Sequence, residues 1–98
     1  MLTPATAMNL QIEHLPEQGR FQAVADGHLC VADYRLADGV LAITHTEVAR
    51  ALGGRGIAGA LMQAVLAHAS ANGLKVRPLC SYASRYMQRH PETQSLLA

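Results

Sequence analysis

The feature that most restricts this chain is a change of texture at residue 53. Three glycines in the run Gly53-Gly54-Arg55-Gly56 stand directly before Ile57 to Ala69, where Ile57, Leu61, Ala64, Val65 and His68 recur at helical spacing in an alanine-rich background. The sequence ahead of that point alternates in the manner of strands, so the chain must pass from sheet to helix through a glycine loop. Glycine lets successive backbone N–H groups turn inward with no Cβ in the way, and the first N–H groups of a helix lack intrahelical partners. Such a loop is built to hold an anion at the positive end of a helix dipole, phosphate suiting it best, or else is simply the tight entry to a helix packed close to a sheet.

The flanking elements follow from the same patterning. Residues 1–9 are small and mixed and are expected to fray. Leu10 to His14 reads as a short strand, and Pro16 to Gly19 as a turn. Phe21 to Ala25, Leu29 to Tyr34 and Val40 to Thr46 read as further strands, separated by Asp26-Gly27 and Asp38-Gly39, the dipeptides that favour tight hairpins. The first half is thus an antiparallel meander. Asn72-Gly73 stops the long helix, and Leu74 to Leu79 forms a strand in which Pro78 suits the end or edge. Ser81 or Ser84 is expected to cap a second helix through Tyr86, Met87 and Arg89, which stops before Pro91 and leaves a tail or last turn to Ala98. With 98 residues there is room for one α/β (α+β) domain and one core.

Composition narrows the functional classes. Half the residues are apolar and 15% are charged, which fits a folded domain. The formal charge of +1 provides no field that would draw nucleic acid. Lys75, Arg77, Arg85 and Arg89 nevertheless cluster in the last quarter, either as a solvated helix face or as a patch that meets an anionic ligand. Cys30 and Cys80 lie far apart with no metal-like spacing, and the opening residues lack a secretory pattern, so both read as reduced thiols of a cytoplasmic protein. His14, His28 and His68 have no second candidate ligand at a useful spacing, and no metal site is inferred. No apolar stretch approaches the roughly 20 residues that cross a bilayer. A dinucleotide-binding fingerprint would follow the first strand of a βαβ unit, and a nucleotide-hydrolysing loop would carry Gly-Lys-Ser or Gly-Lys-Thr; neither is present.

The run Leu52-Gly53-Gly54-Arg55-Gly56-Ile57-Ala58-Gly59-Ala60-Leu61 resembles the pyrophosphate-binding motif of the GNAT N-acetyltransferase superfamily, Gln/Arg-x-x-Gly-x-Gly/Ala. Gly56 and Ala58 match its fourth and sixth positions, whereas Gly53 replaces the expected Gln or Arg at the first. The wider chain is similar to the small single-domain GNAT-like acetyltransferases through His45-Thr46-Glu47-Val48, Gly73-Leu74-Lys75-Val76, Pro78-Leu79-Cys80 and His90-Pro91-Glu92. This resemblance implies acetyl-CoA as co-substrate, held between two parallel strands that splay apart, Val40 to Glu47 and Leu74 to Pro78. It also implies that Gly53, Gly54, Arg55, Gly56, Ile57, Ala58 and Gly59 surround the pyrophosphate, and that backbone groups of Thr46 to Val48 receive the pantetheine arm. The longer helical segment and the final hairpin of many superfamily members are absent from this sequence, so the acceptor side is expected to be open.

Acetyl transfer to an amine needs a proton acceptor, donors for a developing oxyanion and sometimes an acid for the leaving thiolate. Glu47, just past the strand, is the first candidate base, against its reading as an ordinary solvated carboxylate. His45 has the same strand parity and is a base, an orienter of Glu47 or a packed residue; Thr46 has the opposite parity and reads as structural. Cys80, matching the family's Pro-Leu-Cys segment, positions the acetyl group, relays a proton, carries the acetyl covalently or is simply packed. Tyr82 and Tyr86 share a helix face, and Tyr86 is preferred as the acid for the thiolate. The acceptor is an unidentified amine, small molecule or protein. The alternatives are a CoA-binding protein with little or no turnover and an interaction protein whose glycine loop contacts a partner. The limited core of a short chain allows a homodimer as well as a monomer.

Overall fold

Two dipeptides set the sheet. In the computed structural model, which describes residues 10–98, Asp26 (φ 49°) and Gly27 (φ 77°), then Asp38 (φ 53°) and Gly39 (φ 76°), occupy left-handed backbone conformations. These are the two-residue turns whose twist matches that of paired strands. They join β2 (Arg20–Ala25) to β3 (His28–Ala37) and β3 to β4 (Val40–Glu47) with the closing pairs Ala25 with His28 and Ala37 with Val40. A short β1 (Glu13–Leu15) adds to the free edge of β2. It begins later than the alternation from Leu10 implies, because Leu10 to Ile12 have no strand partner.

From β4 the chain runs through a 3-10 turn (Arg50–Leu52) and the glycine loop into α1 (Ile57–Ala71), then returns as β5 (Lys75–Pro78). The crossover makes β5 parallel to β4, completing a five-stranded sheet in the order β1-β2-β3-β4-β5. Helix α1 ends in a Schellman arrangement: Gly73 has φ 66° and the Leu74 N–H donates to the Ala69 carbonyl at 2.9 Å. Helix α2 (Ser81–Arg89) follows, capped by Cys80 and not by either serine, since the Cys80 sulfur accepts from the Ala83 N–H at 3.4 Å. The last residues form a 3-10 helix (Pro91–Leu96) and a bridge between Leu97 and Val76, with Lys75 Nζ donating to the Ser95 carbonyl at 2.9 Å. The tail is therefore an added edge for β5.

A single apolar cluster joins the sheet to the two helices. Phe21, Ala23, Cys30, Ala32, Leu41, Ile43 and Val76 from the strands meet Ile57, Leu61, Met62, Val65, Leu66 and Ala69 from α1 and Ala83 and Met87 from α2. The buried stripe of α1 is wider than the sequence spacing suggested, because Met62, Leu66 and Ala69 join it while Ala64 and His68 stay at its margin. His68 instead meets His14 edge-on, with ring centroids 4.5 Å apart. No described helix covers the other sheet face, where Val24 is 63% exposed and its partner Leu29 is also exposed. Among the described residues, no helix is long and apolar enough to cross a membrane.

Candidate active site

The parallel seam between β4 and β5 closes for only half of its length. Pairing runs from Val40 with Lys75 to Ile43 with Pro78 and stops there, because proline brings no N–H to continue the ladder. The Leu79 and Cys80 N–H groups both donate to the Ile43 carbonyl, at 2.9 and 3.1 Å, and α2 then leads the chain away. Thr44 to Glu47 continue β4 with no β5 partner beside them. This is the splay that the resemblance implied.

A bulge decides which side chains the open half presents. Asp33 pairs with His45 but Tyr34 pairs with Ile43, so Thr44 is an extra residue in β4. Leu41 and Ile43 face the core. Strict alternation from them would send His45 and Glu47 inward; the bulge sends both outward and turns Thr46 toward the helices. The Thr46 hydroxyl lies 3.4 Å from Cys80 Sγ, so the two side chains cover the open seam from the helix side. Thr46, whose backbone was expected at the pantetheine arm and whose side chain was read as structural, therefore turns that side chain to the splay together with Cys80. On the opposite face His45 Nε2 is 3.1 Å from Glu47 Oε1. The two do share one face as their parity required, but as an open surface pair and not within a less polar cleft, their side chains being 56% and 69% exposed.

The glycine loop lies where the open seam ends. Gly53 closes the 3-10 turn, its N–H donating to the Arg50 carbonyl at 3.0 Å, so this first glycine does not contribute a free donor. Gly54 (φ 83°) and Gly56 (φ 79°) then take left-handed conformations that side chains with a Cβ adopt only at a cost, and Gly56 stands at the helix N-cap with no side chain capping it. Among the described residues, the N–H groups from Gly54 to Gly59 find no hydrogen-bond partner. All of these residues except Arg55 border a hollow of about 320 Å³ lined also by Val48, Ala49 and Tyr82. Arg55 bends away to form an ion pair with Asp26 at the β2–β3 turn, both side chains more than half exposed, so it ties the loop to the hairpin.

Tyr82 and Tyr86 do share one face of α2, with ring centroids 6.2 Å apart. Tyr86 faces Gln63 of α1, and His90 stacks on its ring at 4.0 Å between centroids. Burial, and then the neighbouring Tyr82 and Glu92, hold the Tyr86 phenol above its ordinary range despite the Gln63 hydrogen bond, and burial does the same for Tyr82. Both therefore stay protonated at neutral pH. Tyr86 stands beside the start of α1, where a Cβ on Gly59 would lie 3.9 Å from its ring. Among the described residues, no group of three or more His, Cys, Asp or Glu is gathered as metal ligands would be.

Comparison with known proteins agrees with this geometry. Residues 20–96 match the family of GCN5-related N-acetyl-transferases. In three dimensions the chain is similar to a GCN5-like candidate N-acetyltransferase from Staphylococcus aureus, solved by NMR in solution, with a TM-score of 0.75 and 31% identity over 92% of this chain and 89% of that one. No curated protein matches the sequence.

Proposed function

Since the chain belongs to the family of GCN5-related N-acetyltransferases, we propose that it uses acetyl-CoA to acetylate an amine, by direct attack of that amine on the thioester. The observation that carries this reading is the unbroken run of N–H groups from Gly54 to Gly59, without partners among the described residues, which follows the stretch of β4 that has no β5 neighbour. Those donors, at the positive end of α1, suit a diphosphate without any lysine. The exposed edge of β4 at Thr46 and Glu47, followed by Val48 and Ala49 beside the hollow, offers amide partners and an apolar wall to a pantetheine arm.

Acetyl-CoA supplies an activated acyl carbonyl. The protein supplies its surroundings on two faces of one strand. Thr46 and Cys80 border the acyl site from the helix side, where the hydroxyl and thiol offer hydrogen bonds to a departing sulfur. Glu47 on the open face accepts the proton of the attacking amine, directly or through water, and His45 holds the carboxylate in place. Tyr86, expected from sequence to be the acid for the thiolate, stands beside the start of α1 with its phenol protonated and keeps that role in this reading.

The openness of the His45–Glu47 face favours one competing reading, a CoA-binding protein with little or no turnover. Calorimetry with acetyl-CoA and CoA, followed by acetyl-transfer assays on peptide, polyamine and small-amine panels, separates the two. Saturable binding with transfer that falls at least tenfold in Glu47→Gln supports the enzyme. Binding without transfer to any amine favours the competing reading, and no binding of either acetyl-CoA or CoA overturns both.

A further inference from the structure

The sheet face left without a helix carries charges that are sorted by position. Residues directly opposed across strands share a face, so the register assigns the rows. At the splayed end Gln22, Val31 and Glu47 form one row, and Arg20, Asp33 and His45 form the next. Toward the closed end, past the Thr44 bulge, Arg35, Ala42 and Arg77 are opposed in a third row. Leu41, Ile43 and Val76, their neighbours along the strands, are buried on the helix side, which sends this third row outward.

The two ends use their charges differently. At the splayed end Arg20 donates to Asp33 at 2.7 and 3.3 Å, and His45 meets Glu47 at 3.1 Å. At the closed end Arg35 and Arg77 are exposed and form no ion pair among the described residues. Asp33, two residues along β3 from Arg35, is already held by Arg20, and Asp38 at the next turn pairs with neither arginine. Two strand spacings separate the arginines, about 10 Å between Cα atoms. Ala42 stands between them with only a methyl group, so both guanidinium groups can converge on one carboxylate there. Two such groups clamp a single anion but make no track for a phosphate backbone.

The spacing between these ends selects the ligand. Val31, opposite Glu47, and Arg35, opposite Ala42, are four residues apart on β3, about 13 Å of extended chain. The amine and carboxylate of a single amino acid fall far short of that span. An extended peptide covers it in four residues, and its first and fifth residues face the same way because strand side chains alternate. Resting on the reading in which Glu47 takes the proton of the attacking amine, we infer that the acceptor is the N-terminal amine of an extended peptide segment whose fifth residue is acidic, its carboxylate held between Arg35 and Arg77. The two arginines thereby set acceptor specificity without touching the reacting atoms. A lysine amine stands a whole side chain away from its backbone and does not match the spacing.

The test measures thiol release from acetyl-CoA by the full chain with short C-terminally amidated peptides that have a free N-terminus and are otherwise uncharged, or carry glutamate at the fifth position, glutamate at the second, or lysine at the fifth. Glutamate at the fifth position should raise kcat/KM about tenfold or more over the uncharged peptide, through KM, and the gain should shrink as salt rises. Lysine there should lower it. R35A/R77A should abolish the gain while leaving the uncharged peptide's kcat/KM, the acetyl-CoA affinity and the melting temperature unchanged. Equal rates for the acidic and uncharged peptides overturn the inference, as does an equal gain from glutamate at the second position or a gain that survives in the double variant. Faster transfer to a lysine side chain of an N-terminally blocked peptide overturns it too, as does stronger inhibition by a single-stranded oligonucleotide than by the acidic peptide. Transfer to small amines but to no peptide overturns it while leaving the acetyl-transfer reading intact; no transfer to any amine defeats that reading first, and this inference with it. If the double variant does not fold, the wild-type ranking of the peptides decides.

Discussion

The two halves of the β4–β5 seam are made of the same two strands yet do opposite work. In the closed half, Val40 to Ile43 pair with Lys75 to Pro78, and Leu41, Ile43 and Val76 are wholly buried beneath α1. In the open half, Thr44 to Glu47 lack a neighbour, the next glycines hold left-handed conformations and a run of N–H groups is left without described partners. The first half gathers contacts that stabilise the fold; the second leaves polar groups that a ligand can satisfy. The contrast teaches that Pro78 and the Thr44 bulge are what divide stability from function along one pair of strands.

That division is broken if a change in one half is felt mainly in the other. The largest expected effect is Leu41→Ala, which should cost about 2–5 kcal/mol by leaving a cavity under α1. That is a large share of the roughly 5–15 kcal/mol typical of a domain. Chemical denaturation measures it, and the folded fraction should still bind acetyl-CoA with wild-type affinity. Next comes Gly54→Ala. Its added Cβ meets no atom within 4 Å, so the stability loss should be limited to about 1–2 kcal/mol of left-handed strain, whereas acetyl-CoA affinity should fall by about tenfold or more. Gly59→Ala sharpens the comparison in the other direction. It lies in α1 with room for a methyl in ordinary contact with the two tyrosines, so the melting curve should report a gain of about 0.5–1 kcal/mol. Binding, in contrast, should weaken if ligand approaches that backbone.

The smallest effect belongs to His14, away from both halves. Its ring stacks on Phe21 at 4.0 Å between centroids, its Nε2 is 2.7 Å from the Tyr34 hydroxyl, and burial followed by the nearby His68 holds its pKa below the ordinary histidine range. The unfolded chain therefore takes up this proton at a higher pH than the folded one. Stability contributed by the neutral ring is present above about pH 6.5 and declines as pH falls from there toward the lower folded-state pKa. Melting temperatures recorded between about pH 7.5 and about pH 5.5 should fall, and His14→Gln should reduce that slope.

Much of this arrangement was legible in the residues because it is local. Asp26-Gly27 and Asp38-Gly39 placed the hairpins, the apolar spacing from Ile57 located α1, and the glycine run marked the loop that enters it. The bulge was not legible. Nothing about Thr44 distinguishes it from an ordinary strand residue, yet it reverses which of His45, Thr46 and Glu47 faces the helices, a consequence of pairing with β3. The Cys80 cap was missed because serine is the commoner capping residue, and sulfur takes this role only through the geometry of the strand end. The Arg55–Asp26 pair joins residues from two distant turns and had no sequence signal. Arg85 and Arg89 stood out as a local excess of charge, but only the facing small residues of α1 turn that charge into a groove.

The central claim is that backbone amides at the start of α1 receive the diphosphate of acetyl-CoA. Amide resonances followed by two-dimensional NMR during titration with acetyl-CoA test it residue by residue. The account predicts that the largest shifts occur from Gly54 to Gly59, accompanied by Thr46 to Val48, with little change in the closed half of the seam. Saturable shifts confined to other residues, with Gly54 to Gly59 unmoved, would contradict it.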